Sequence, residues 1–103
     1  MDIETRVYTR YSILTEDLNR IEVARLCREH RVDCTLYAGV GLFNGNIEES
    51  LTVVHLAPLE ANVREEIKAL ARDIQAENNQ REIWITEETV TLKKLLDNTP
   101  AIG

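Results

Sequence analysis

From Arg6 to Leu14 the chain alternates: Val7, Thr9, Tyr11 and Ile13 take one set of positions, Tyr8, Arg10 and Ser12 the other. A period of two predicts a strand with one face buried. "TEDLN" breaks the pattern, and Asn19 with Glu22 three residues on resembles a capping box that opens a helix. Ile21, Ala24 and Cys27 then keep helical spacing, with Leu26 beside them, and the helix should fade near His30 and Arg31. "DCTLYAG" reads as a second strand, with Cys34, Leu36 and Ala38 on one face and Thr35 and Tyr37 on the other. "ESLTVVHLA" is apolar on both faces from Leu51 to Leu56, as an interior strand is, and Pro58 stops it. A second helix is predicted from Asn62, again with a glutamate, Glu65, three residues on. Val63, Ile67, Leu70 and Ile74 form its apolar stripe. "ENNQ" ends this helix, "REIWIT" is a fourth strand, and "TVTLKKLL" extends or follows it.

The order is β-α-β-β-α-β, and its halves echo each other. Ile13 and Leu56 each precede a capping asparagine, Asn19 and Asn62, by six positions. Two like βα units predict an α+β, ferredoxin-like βαββαβ sandwich: a four-stranded antiparallel sheet with both helices on one face. Residues 1–96 form its single domain, and "DNTPAIG", residues 97–103, reads as a flexible tail. The other sheet face is expected to carry Tyr8, Thr35, Tyr37, Thr52, Val54, Trp84 and Thr86. That face is too apolar to stand in water, so a homo-oligomer is expected.

Composition narrows the choice of partners. The 103 residues suit one domain; 44% are hydrophobic and 29% charged, ordinary values for a globular chain. A net charge of −6 argues against duplex nucleic acid, whose phosphates need clustered Lys and Arg, but not against one small anion at a local basic spot. No apolar run approaches membrane-spanning length, and "MDIETRVYTR" lacks the apolar segment of a secretory signal, so a cytoplasmic protein with reduced Cys27 and Cys34 is expected.

The stretch "YAGVGLFNGNIEES" admits two readings. In one it is a hairpin with "NGN" at its tip. In the other, Gly39 and Gly41 let backbone N–H groups converge on an anion, and Leu42, Phe43 and Glu49 meet a protein partner. It is not a dinucleotide fingerprint, since its spacing is G-x-G-x-x-x-G and no helix follows. Glu48 and Glu49 at this loop offer acceptors to ribose hydroxyls. Arg81, Lys93 and Lys94 near the last strand are the cations placed to meet a phosphate. Cys27, His30 and Cys34 are soft ligands close together, but Cys27 and Cys34 fall on apolar faces, so no metal or other cofactor is expected. His30 supplies a helix C-terminal charge. No nucleophile with a matching base is visible, so binding is expected rather than catalysis.

"ILTEDLNRIEVARLCREHRVDCTLYAGVG" and "REIWITEETVTL" resemble the PII-type signal-transduction proteins and their CutA-like relatives. The first is similar to the PII run of strand, helix, a strand with a threonine near its start, and a glycine-containing stretch; the second to the closing strand. The resemblance implies a trimer with nucleotides in clefts between subunits, beside the root of the loop after strand two. It places Thr35 on the cleft wall, Gly41 at the start of the phosphate-facing backbone, and Arg81 or Lys93 on phosphate. The family's long loop is cut here to "LFNGNIEE", and Phe43 stands where a second glycine is expected. "GVGLFNGNIEESLTVV" with "NNQREIWIT" also resembles small proteins of phages and mobile elements. The expected function is therefore a regulatory module for a small anionic ligand, a nucleotide, with Thr35, Tyr37, Gly39, Gly41, Glu48, Arg81 and Lys93 at the site. The alternative is a phage-type inhibitor that binds a host factor through residues 39–48.

Overall fold

The computed structural model describes residues 2–97. Its elements are β1 (Asp2–Glu16), α1 (Arg20–Glu29), β2 (Thr35–Phe43), β3 (Asn46–Pro58), α2 (Arg64–Glu77) and β4 (Trp84–Leu96). The sheet order is β2-β3-β1-β4, every neighbouring pair antiparallel. Each β-α-β crossover therefore skips one strand, the arrangement of the ferredoxin-like sandwich. "TVTLKKLL" continues the strand that Trp84 opens. Residues 98–103 of the proposed tail lie outside the described residues.

Strand register decides which residues make the core. Tyr11, Ile13, Leu51, Val53 and Ala57 share one face of the sheet and are buried against Val23, Leu26 and Cys27 of α1 and Ile67, Leu70, Ala71 and Ile74 of α2. The α2 stripe falls where the sequence put it. The α1 stripe is rotated: Val23, Leu26 and Cys27 are buried, whereas Ile21 is 80% exposed. At ~100° per residue Ile21 stands roughly 160° around the helix from the buried Val23, so it faces away from the sheet, and Ala24 is exposed as well.

The caps also differ from expectation. Asn19 accepts a hydrogen bond from the Glu22 N–H (3.4 Å), as predicted. Asn62 does not cap α2; the helix starts at Arg64 behind Val63, with no side-chain cap. At their C-termini the two helices close alike. Val32 N–H bonds the Cys27 carbonyl (3.0 Å) and Gln80 N–H the Gln75 carbonyl (3.0 Å), across Arg31 and Asn79 at φ 56° and 50°. These are paired-bond closures that turn the chain through a left-handed residue. Asn tolerates that conformation; Arg31 holds it at a cost. His30 does sit at the end of α1, and its Nε2 lies 2.6 Å from Asp73 Oδ2 of α2, tying the helices together.

Two ribbons project from opposite ends of the sheet. β1 leaves β3 at Tyr8↔Pro58, with one further bond from the Leu59 N–H to the Val7 carbonyl (3.3 Å), so Asp2–Arg6 pairs only with the end of β4. At the other end, β1 stops at Glu16↔Ser50 and one Asp17 N–H bond to the Glu49 carbonyl (3.0 Å), leaving the tip of the β2–β3 hairpin unsupported. The long dimension, 53 Å against 29 and 27 Å, reflects both.

Candidate ligand face

The face of the sheet away from the helices is built from the second set of alternating positions. Its rows follow from register: Tyr37, Thr52, Leu14 and Trp84 form one, and Thr35, Val54, Ser12 and Thr86 the next. Leu56, Arg10 and Glu88 come after them, followed by Pro58, Tyr8 and Val90. All seven residues expected on this face are there. Trp84 is 60% and Tyr37 58% exposed, a large apolar area with nothing over it in the single chain.

A shallow depression of about 430 Å³ lies on this face. Val54, Leu56, Val90 and Leu92 floor it, with Tyr37, Ser12 and the ion pair Arg10–Glu88 at its edges. The Arg10 Nη2 lies 2.8 Å from Glu88 Oε2. The volume is within the range of small-molecule sites.

The glycine stretch is a hairpin. Asn44 and Gly45 have φ of 50° and 80°, so both central residues of a two-residue turn are left-handed, as the primed turns that join twisted strands require. Gly39 and Gly41 lie within β2, paired with Ser50 and Glu48, and neither has positive φ, so they form no concave nest of N–H groups. Gly41 does leave room for a neighbouring side chain. A Cβ there would come 2.4 Å from Cε2 of Phe43, because the Phe43 ring folds back along the open face over residue 41.

Thr35, Tyr37, Gly39, Gly41 and Phe43 form one file along the open face of β2, with Glu48 opposite Gly41. Leu42 and Glu49 point to the other side of the ribbon, so neighbours in sequence part company: Leu42 from Phe43, and Glu49 from Glu48. Arg81 lies in the connection before β4, its carbonyl accepting from Gln75 Nε2 (3.1 Å). Lys93 pairs with Thr5 in the far ribbon, on the helix-side parity. Seven residues of β1 separate Thr5 from Ser12 in the Thr35 row, roughly 23 Å at ~3.3 Å per residue. Within one chain, Lys93 and Thr35 are therefore not brought together. The cation that does share the depression with Tyr37 is Arg10. The alternation that places Tyr8 and Ser12 on this face signals Arg10 as well; its partner Glu88 needed the β1–β4 register.

A second depression, about 340 Å³, lies behind α1 between Cys27, Arg28, Arg31 and Cys34. Both cysteines are free. Cys34 Sγ donates to the Val32 carbonyl (3.4 Å). The neighbouring Cys34 draws the Cys27 thiol below its usual range; Cys27, with burial, pushes Cys34 up. Among the described residues no three His, Cys, Asp or Glu side chains gather in a group able to hold a metal. None of the described helices is long and apolar enough to cross a membrane.

Known proteins add the fold. No protein-family model and no curated sequence matches the chain. Among solved structures, the apo form of CPII, a nitrogen regulatory PII-like protein from Thiomonas intermedia K12, superposes with a TM-score of 0.61 at 12% identity, over 91% of this chain and 100% of that one. The fold shared with it is the ferredoxin-like βαββαβ sandwich. CPII bound to ADP, AMP and bicarbonate gives a TM-score of 0.60 at 10% identity, over 90% and 100% of the two chains. A phage SAM lyase in complex with S-methyl-5'-thioadenosine gives 0.62 at 11% identity, over 84% and 90%. The PII-type and phage resemblances both hold at the level of fold. The neighbours include a regulator and an enzyme, so the fold by itself does not choose between binding and turnover.

Proposed function

We propose that the chain is a cytoplasmic regulatory module that binds an adenine nucleotide, or a compound of like chemistry, as a homotrimer. The observation that carries this is the open sheet face: an apolar, aromatic-edged depression with one ion pair, lying on a surface that needs a neighbour to cover it. Packing the open faces of copies together turns a shallow depression into enclosed clefts. The bound ligands of the structural neighbours, ADP and AMP in one and S-methyl-5'-thioadenosine in the other, share an adenosine group and support this ligand class. Thr35, Tyr37, Gly39 and Gly41 line the β2 side of the cleft and Glu48 its outer end. Lys93 reaches a phosphate there only from a neighbouring copy, and Arg81 joins it from the connection before β4. The β2–β3 ribbon, unsupported by its own chain, is the part that ligand orders.

A thermal-shift screen against nucleosides and nucleotides tests this reading. A compound held only by the folded state raises the melting point by mass action, by about 2.7 kcal/mol of stability at a hundredfold excess over Kd. No shift with any adenosine compound contradicts it. Incubation with SAM, followed by chromatography, tests binding against turnover: the compound stays intact on this reading, and its breakdown would make the chain an enzyme.

A second reading rests on the far side of the ribbon, where Val40, Leu42 and Ile47 are 74%, 70% and 77% exposed. That stripe suits a protein partner, and Leu42→Ser tests it by loss of a host-protein complex with nucleotide response intact.

A further inference from the structure

We propose that the Arg10–Glu88 pair is the polar anchor of the open-face site and restricts it to ligands with a single anionic group, a nucleoside monophosphate; this deepens the reading above and rests on it. Arg10 is the one cation and Glu88 the one carboxylate among the residues around the depression. Their single contact, Nη2 to Oε2 at 2.8 Å, uses one of the five N–H donors of the guanidinium. Among the described residues Arg10 has no other partner, and Glu88 keeps its second oxygen unbound. Both side chains are about half-exposed, at 43% and 51%, beside an aliphatic floor.

The vacant edge of a planar guanidinium is shaped for two oxygens of one phosphate. The free carboxylate oxygen of Glu88 accepts a ribose hydroxyl. Val54, Leu56 and the ring of Tyr37 take the base. The site's own charges cancel, so it has one place for a phosphate and none for a second or third. Added phosphates meet Glu88 and a chain of net charge −6.

Calorimetric titration of the intact protein with adenosine, AMP, ADP and ATP tests the assignment. AMP should bind tighter than adenosine by roughly 10- to 100-fold, the worth of a charge-assisted contact. ADP and then ATP should bind progressively more weakly than AMP. Arg10→Gln should abolish the preference for AMP over adenosine, a ratio read within the one variant. Glu88→Gln should weaken adenosine modestly, because the ribose acceptor loses its charge, and should relieve the penalty on ADP and ATP, because the opposing carboxylate is gone. Arg10→Lys keeps the charge without the fork and should fall between wild type and Arg10→Gln; if Arg10→Gln does not fold, Arg10→Lys decides the matter alone. ATP binding tightest, or an AMP preference that survives loss of the guanidinium, overturns this inference while leaving nucleotide binding in place. So does an equal loss of adenosine and AMP in Arg10→Gln accompanied by a change in solution mass, which would make the pair an assembly contact. Absence of binding by every one of the four overturns this inference and the reading beneath it.

Discussion

Gly41→Ala tests why a glycine interrupts an otherwise regular strand. The new Cβ would lie 2.4 Å from Cε2, 3.1 Å from Cζ and 3.3 Å from Cδ2 of Phe43, so the ring has to swing away. Phe43 is 52% exposed, so about half of the ring's surface is shielded where it lies. Half of ~200 Å² at ~25 cal/mol/Å² is about 2.5 kcal/mol, an upper bound for what the ring forfeits. Replacing glycine by alanine in a strand returns ~0.5–1 kcal/mol of chain entropy. The net expectation is a destabilisation of at most about 1.5–2 kcal/mol. In a Phe43→Ala background nothing obstructs the Cβ, and the same change should stabilise by about 0.5–1 kcal/mol. Urea unfolding of wild type, the two single variants and the double variant gives the coupling, expected to be positive and at most about 2.5 kcal/mol. An equal cost of Gly41→Ala in both backgrounds refutes the steric explanation. Gly41 would then serve something other than Phe43, such as close approach of a ligand to the backbone.

Other perturbations separate the features that the sequence and the structure assign differently. Asn19→Ala should cost about 1 kcal/mol and Asn62→Ala almost nothing, since only Asn19 caps a helix; urea midpoints read both. Arg31→Gly should stabilise by about 1 kcal/mol, because Arg31 holds φ 56° without the freedom of glycine; an unchanged midpoint contradicts this. Ile74→Ala, at a fully buried position, should cost about 2–5 kcal/mol. Trp84→Lys should leave the fold intact by circular dichroism and lower the solution mass; an unchanged mass removes Trp84 from the interface.

Much of the fold was legible because two signals do not depend on tertiary context. Alternation along Val7–Ile13 and Cys34–Ala38 assigned both sheet faces correctly, and the Val63–Ile67–Leu70–Ile74 stripe located α2. The signals that failed were short ones at element ends. A polar residue three before a glutamate describes Asn19 and Asn62 equally, yet Asn62 lies two residues before the first helical turn. Ile21 and Ala24 have helical spacing, but the side of α1 that meets the sheet is the one carrying Val23, Leu26 and Cys27. The site was only partly legible. Thr35 and Tyr37 follow from alternation, but which cation joins them depends on how β1, β3 and β4 pair, and chain order says nothing of that. Arg81 and Lys93 rest on nearness to the last strand and on the PII resemblance; register carries Lys93 to the far ribbon and leaves Arg10 at the depression.

The most direct test of the account is sedimentation equilibrium of the wild-type protein across a dilution series. Covering of the open face by further copies predicts a mass that is a multiple of the 11.8 kDa chain, three on the proposed arrangement, with dissociation only on strong dilution. A mass of 11.8 kDa throughout, with the Trp84 and Tyr37 face left in water, would contradict it.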